Sequence, residues 1–304
     1  MSEAKVSPKM IEHYLKHFYG YGSWDTDYWF VGLEEGTGTA TINGKKTDNP
    51  IDIFKQKVNR FCKICCSKTE PYYYRCNTKE SLLDNYNFQY DLYPGYFDET
   101  SYCSKGNLPQ ATHKQLIRIL YYIKTGIFLE QNKDIKKLQA TDFGNTNPTC
   151  LSQHCAIELL PFPSPLRTNV KIIKEYKDAI PGFNSSTKQQ DYKKEYERIC
   201  FSEKAMGRIS FLKNQLATKK PKLVTFYAPE YFHTILNITQ SKYKDWNFFN
   251  LLSSSILESH SIAYWYNGET VFILVNHPAR CKNREYWECV CLRAKQLLST
   301  LFAG

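Results

Sequence analysis

The segment Tyr28-Trp29-Phe30-Val31-Gly32-Leu33-Glu34-Glu35-Gly36 indicates the fold class of this chain. Its first four residues are aromatic or β-branched, the residue types that are enriched in strands. The run is short and apolar throughout, which is typical of a strand that is covered on both faces. We interpret it as a buried first strand, and we interpret residues 32–36 as the tight acidic loop that follows it.

Strand and helix patterns alternate along most of the remaining chain. Such alternation is typical of a parallel sheet with helices on both faces. We therefore expect an α/β fold, a three-layer α/β/α domain with a central, mostly parallel four-stranded sheet. The expected strands are 28–31, 156–160, 221–227 and 270–276, with 261–266 as the hairpin partner of the last, and the expected helices are 8–18, 51–66, 113–124, 191–218, one that begins at 231, and 283–301.

Length and composition favour a single domain without a membrane span. We expect residues 1–304 to form one domain with an insertion at about 37–109, which is irregular and rich in Tyr and Cys. No apolar run reaches the roughly 18 residues of a transmembrane helix, and residues 1–9 lack the apolar stretch of a secretory signal. The 11 Cys are odd in number and irregularly spaced, so we expect reduced thiols and a cytoplasmic location.

The cysteines of the insertion leave two interpretations open. Cys62 and Cys65 lie one turn apart on the expected helix 51–66, and three more thiols follow. Three or four thiolates could bind zinc or an iron–sulfur cluster. We favour buried thiols on a helix, and we expect no metal. The three downstream residues are Cys66, Cys76 and Cys103.

The formal net charge of +10 favours a polyanionic partner. Lysine and arginine release counterions from a phosphate backbone, so excess positive charge promotes nucleic-acid binding. An AT-rich genome would also raise the Lys content. DNA is the partner that we expect, for the reasons that follow.

Polar side chains follow each expected strand of the parallel sheet. In such sheets, ligands bind beyond the carboxyl ends of the strands. Acidic, aromatic, imidazole and guanidinium groups should therefore converge at one edge. They lie at Glu34 and Glu35, at Glu158, within 227–231 and within 277–280.

Three of these loops resemble the motifs of the uracil-DNA glycosylase superfamily. They are the G-x-x-x-G loop at 32–36, Glu158 with the proline-rich loop at 161–165, and His277-Pro278-Ala279. The resemblance covers residues 24–36 and 110–301 and leaves out 37–109. It departs from the family pattern at Glu35, where the family has a proline, at Glu158, where it has an asparagine, and at Ala279, where it has a serine.

The resemblance implies a monofunctional DNA glycosylase that leaves an abasic site, in repair or in defence against foreign modified DNA. Glu34 or Glu35 would stabilise the oxocarbenium-like sugar and orient a water, and His277 would stabilise the departing base. No cofactor is implied. The other site residues are Glu158 and Phe162 for the base, and Arg280, Lys282 and Arg284 for DNA.

Glu158 suggests which base the glycosylase would excise. An ionised carboxylate only accepts hydrogen bonds, so it suits an exocyclic amino group such as cytosine N4 and repels the O4 of uracil. We therefore expect a modified or mismatched, cytosine-like pyrimidine.

Structural roles are the alternatives for these residues. Glu34 and Glu35 could be loop carboxylates, His277 could bond to a backbone carbonyl, and Glu158 could pair with Arg167. The tyrosines at 72–74 are expected to pack within the insertion more than to stack on bases. A non-catalytic DNA-binding or interaction module of the same fold is the main rival function, and an α/β hydrolase is disfavoured because no G-x-S-x-G motif is present.

Overall fold

A computed structural model provides the coordinates of the chain. It describes residues 6–22, 24–33, 40–42, 45–65, 82–83, 111–142, 154–163, 170–202, 205–227, 229–250 and 261–302. None of the helices in these ranges combines the length and the apolar character needed to cross a bilayer.

The described residues form α-helices and β-strands in alternation. The α-helices are α1 (Pro8–His17), α2 (Pro50–Cys65), α3 (Ala111–Thr125), α4 (Asn132–Asp142), α5 (Lys171–Tyr176), α6 (Tyr192–Phe201), α7 (Arg208–Lys219), α8 (Phe232–Thr239) and α9 (Arg284–Phe302). The strands are β1 (Gly20–Gly22), β2 (Tyr28–Gly32), β3 (Ala40–Ile42), β4 (Lys45–Thr47), β5 (Leu82–Leu83), β6 (Cys155–Glu158), β7 (Leu223–Phe226), β8 (Asn247–Asn250), β9 (Ser261–Tyr266) and β10 (Val271–Leu274).

The main sheet has the strand order β5-β1-β6-β2-β7-β10-β9-β8. Its centre, β6-β2-β7-β10, is parallel throughout, so the predicted α/β class and the mostly parallel character are confirmed. The predicted width of four strands is wrong, because eight strands pair within the described residues. The additional strands flank the parallel centre, and β1, β9 and β8 each pair antiparallel to a neighbour.

Helices cover both faces of the sheet. Alternate residues of β2 enter different clusters: Phe30 packs with residues of α1, α2, α3 and α9, while Trp29 and Val31 pack with residues of α7 and α8. Successive side chains of a strand point to opposite faces. The arrangement is therefore the expected three-layer α/β/α.

Strand β1 (Gly20–Gly22), which the sequence pattern did not predict, depends on glycine. Gly20 has φ +135°, and a Cβ there would lie 2.0 Å from the carbonyl oxygen of Ala156. Only glycine permits both this backbone angle and this approach. Residues 20–22 therefore form β1, which pairs with β6.

A second difference concerns the charged segment 191–218, which we expected to be one helix. It forms two, α6 and α7, and the break lies before Gly207. Gly207 has φ +67° and serves as the N-cap of α7. The backbone of Ser202 is extended, with φ −72° and ψ 131°, so the i to i−4 hydrogen bonding of α6 ends there.

Candidate functional site

The strand order creates a topological switch point at the carboxyl edge. From β2 the chain moves to β6 on one side, then returns to β7 on the other side and continues to β10. Ligand crevices of doubly wound sheets lie at such a point. Here it lies between the ends of β2 and β7, at Gly32 and Tyr227.

Tyr227 fills the space that Gly32 leaves open. A Cβ on Gly32 would lie 2.3 Å from Cε2 of the Tyr227 ring, so the ring lies directly against the Gly32 backbone. The Tyr227 N–H donates to the carbonyl of Val31 at 3.0 Å. The ring also meets His277 edge-on, with centroids 5.9 Å apart. One side chain therefore links the end of β2 to the His-Pro loop.

His277 is held in a turn that fixes its tautomer. Its Nδ1 accepts a hydrogen bond from the Ala279 N–H at 3.2 Å, and its carbonyl accepts from the N–H groups of Arg280 and Cys281, each at 3.0 Å. An imidazole nitrogen that accepts carries no proton, so the neutral ring is protonated at Nε2. His277 can therefore act as a hydrogen-bond donor through Nε2.

Glu158 lies at the same level of the sheet as Gly32. The two residues are in register, the Leu159 N–H donates to the Gly32 carbonyl at 3.0 Å, and Glu158 is only 9 % exposed. Tyr227 follows at the same level on β7, since Val31 pairs with Phe226. With strands about 4.8 Å apart, the Cα atoms of Glu158 and Tyr227 are separated by about 10 Å.

Arg208 anchors this edge, although no sequence pattern identifies it. Its side chain is 1 % exposed, and it donates to the carbonyls of Leu15, Phe18 and Glu158 at 2.8–2.9 Å. The guanidinium also stacks on the Tyr19 ring at 4.2 Å. Burial raises the pKa of Tyr19 to about 12, and Arg208 opposes that shift. No sequence signal separates this arginine from the many exposed basic residues.

Phe162 is part of the hydrophobic core. Its ring stacks on Tyr196 at 4.8 Å and meets Phe54 edge-on at 4.8 Å, and its N–H donates to the Tyr196 hydroxyl at 2.9 Å. Burial raises the pKa of Tyr196. A nucleobase could stack on Phe162 only after this packing opens, and base binding by Phe162 stays a prediction.

The three basic residues proposed for DNA differ in their surroundings. Arg280 is exposed, and its Nη1 lies 3.8 Å from Oε1 of Glu230. Lys282 is exposed as well and takes part in no ion pair within the described part of the chain. Arg284 is shared by the carboxylates of Glu130 and Glu288. Lys282 is therefore the cation most available to a phosphate.

Several predicted site residues lie outside the described residues. Glu34 and Glu35 follow directly after Leu33, where the description of β2 and its loop ends. Arg167, residues 72–74, Cys66, Cys76, Cys103 and the side chain of Cys65 also lie outside. Cys62 is described, and it is the expected buried thiol of a helix.

Comparisons with protein-family models, with curated proteins and with solved structures found no match to this chain.

Proposed function

We propose that this chain is a monofunctional DNA glycosylase that releases a flipped, modified or mismatched pyrimidine with an exocyclic amino group. The single observation that carries the proposal is the position of Tyr227. Its ring contacts both Gly32 and His277, so it connects the end of β2, which precedes the acidic loop, with the start of the His-Pro loop. The proposal needs this proximity, because the sugar and the base of one nucleotide must meet both loops.

The reaction divides between the two loops. As the bond from C1′ to the base nitrogen breaks, its electron pair moves to the base, and C1′ gains oxocarbenium character. Glu34, with Glu35 as its alternative, would stabilise that positive charge and accept a proton from the attacking water. His277, protonated at Nε2, would donate a hydrogen bond to the departing anionic base.

Glu158 would select the base. In its ionised form this carboxylate would accept hydrogen bonds from an amino group and repel a carbonyl oxygen. Arg208 donates to the backbone carbonyl of Glu158 at 2.8 Å and so holds the main chain from which this side chain projects. A Glu158→Asn variant should therefore lose its preference for amino-bearing pyrimidines and gain activity on uracil.

Formation of abasic sites tests the proposal. Duplex and single-stranded oligonucleotides with uracil, cytosine, thymine mismatches or modified cytosines would be incubated with the protein, and strand scission after alkali would be measured. The Glu34→Gln and His277→Ala variants should each reduce release by about 100-fold or more and should retain DNA binding. Matched controls on exposed positions are Glu269→Gln and His233→Ala, which should leave release unchanged.

A non-catalytic DNA-binding or interaction module is the second candidate, and one observation favours it. The ring of Tyr227, which is 4 % exposed, occupies the switch point where a ligand would enter. If the protein binds DNA but forms no abasic site with any substrate in the panel, the catalytic proposal fails and this candidate stands. A Tyr227→Ala variant that gained affinity for a free nucleobase would show that the ring closes the crevice.

A further inference from the structure

Two exposed aromatic side chains lie together near the edge of the main sheet. Tyr243 is 64 % exposed and Phe248 is 43 % exposed, and their rings stack with centroids 4.9 Å apart. Phe232 meets both rings edge-on at 5.8 and 5.9 Å, and it rests on the buried Trp246. We call Phe232, Tyr243 and Phe248 the aromatic platform. Adjoining exposed apolar groups can mark an interaction surface.

The platform lies two strands away from β10, the strand that leads into the His-Pro loop of the candidate site. Phe248 pairs with Ala263, which pairs with Leu274, and His277 follows Leu274 by three residues. Only β9 separates β8 from β10, which corresponds to about 10 Å across the sheet. On its other side, the platform begins at Phe232, five residues after Tyr227. A chain-like ligand that leaves the site over the sheet edge would therefore meet the platform.

Two lysines give the platform a positive charge. Lys242 and Lys244 flank Tyr243, and both are exposed. Within the part of the chain that the structure describes, neither forms an ion pair. The nearby Asp245 carboxylate accepts the backbone N–H of Lys242 at 2.7 Å. Exposed rings beside free cations are the combination that single-stranded nucleic acids need, because bases stack on the rings and phosphates meet the cations.

We propose that the aromatic platform, with Lys242 and Lys244, binds unpaired bases of a DNA strand that also occupies the candidate site. The inference rests on the proposed function for the identity of that strand as the substrate. A single strand fits better than a duplex, because the base faces of a duplex are already covered by their neighbours. The platform therefore indicates that the substrate is single-stranded beside the target nucleotide.

Fluorescence anisotropy with a labelled oligothymidylate of roughly 16 nucleotides tests this inference. The Tyr243→Ser/Phe248→Ser variant should bind the single strand at least about fivefold more weakly, and its affinity for the same strand annealed to its complement should not change. Lys242→Gln/Lys244→Gln should reduce the slope of log affinity against log salt by about 1.4. Leu292→Ser, a change at another exposed apolar residue, is the matched control and should have no effect.

Each alternative outcome has a defined meaning. An equal loss on duplex and single strand, or no loss on either, would overturn the inference. So would an unchanged DNA affinity together with a smaller sedimenting mass of the aromatic variant, since the platform would then join copies of the chain. If the wild type binds the strand through the platform but releases no base, only the proposed function fails. If it releases base and the variant binds normally, only this inference fails.

Discussion

Gly32 has no side chain, and the ring of Tyr227 occupies the space that a side chain would take. Gly32→Ala would place a methyl group 2.3 Å from Cε2 of that ring. The ring must then move, and we expect the free energy of unfolding to fall by about 1–3 kcal/mol, as for other overpacked cores. Urea unfolding would measure the change, and release of base should fall as well because His277 rests on the same ring.

The Gly32→Ala/Tyr227→Ala double variant isolates the contact between these two residues. In a Tyr227→Ala background the added methyl group meets open space, so Gly32→Ala should cost less than about 0.5 kcal/mol there. A cost that is equal in both backgrounds would show that some other feature restrains Gly32.

Arg208 illustrates how one buried side chain can organise an edge of the sheet. Arg208→Met removes the donors to the carbonyls of Leu15, Phe18 and Glu158. Buried acceptors that lose their donors cost about 1–3 kcal/mol each before relaxation, so we expect the free energy of unfolding to fall by about 3 kcal/mol. Chemical denaturation at neutral pH would measure it.

Arg198→Met is the matched control for that experiment. Arg198 bridges Glu195 on the surface of α6 with its side chain 60 % exposed, and such pairs contribute about 0–1 kcal/mol. Similar losses in the two variants would mean that the carbonyls around Arg208 find other donors.

At the scale of whole elements, the amino edge of the sheet contains buried histidines. His154 directly precedes β6, and His113 lies in the first turn of α3. Burial, with a smaller contribution from Lys136, lowers the pKa of His113 to about 4. Burial lowers the pKa of His154 to about 3, and His113 adds to that shift. Both imidazoles are therefore neutral in the folded protein at pH 7.

This arrangement predicts a loss of stability in acid. Below the ordinary histidine pKa of 6.5 the unfolded chain binds protons that the folded chain refuses, so stability falls as the pH drops from 6.5 towards 4. For His113 the pKa shift corresponds to a change of about 3 kcal/mol in the free energy of unfolding. The urea concentration at the midpoint of unfolding should fall between pH 7 and pH 4. In the His113→Asn variant this midpoint should change less with pH.

An exposed histidine provides the comparison. His233→Asn, on α8, should leave the pH dependence as it is in the wild type, because His233 is exposed to water. If His113→Asn also leaves the slope unchanged, other groups cause the acid sensitivity.

The elements that the sequence predicted share strong local signals. The helices predicted at 8–18, 51–66, 113–124 and 283–301 are confirmed within the described residues, and so is the hairpin at 261–276 around its Asn-Gly turn. The apolar residues of these helices have the spacing of a buried helix face. β1 was missed because two of its three residues are glycines, which carry no strand propensity. Its stability comes from backbone pairing with β6, which no local pattern encodes.

The candidate site was predictable in its position but not in its details. The carboxyl-edge rule predicts that Glu158 and His277 lie at the same edge of the sheet, and both follow strands of the parallel centre. Glu158 is in register with Gly32, and a shared site with His277 stays a prediction. The roles of Tyr227 and Arg208 arise from contacts between residues that are distant in sequence, such as Arg208 with Leu15. Such contacts appear only when the elements have packed.

For the molecule as a whole, the net charge of +10 leaves open where a polyanion binds. The candidate site and the aromatic platform both lie near the carboxyl edge. Lys282, five residues after His277, forms no ion pair among the residues that the structure describes. Lys220 lies at the opposite edge, just before β7, and pairs with Glu269. Lys282→Gln and Lys220→Gln change the net charge equally. A difference between their DNA affinities would therefore depend only on where each lysine lies.

The salt dependence of DNA affinity distinguishes these two cations. Each phosphate contact on a single strand contributes about 0.7 to the slope of log affinity against log salt. We expect Lys282→Gln to reduce the slope by about that amount and Lys220→Gln to leave it unchanged, in anisotropy titrations at several salt concentrations. Equal slopes for the two variants would mean that DNA affinity depends only on the total charge. The proposal that DNA binds at the carboxyl edge would then be wrong.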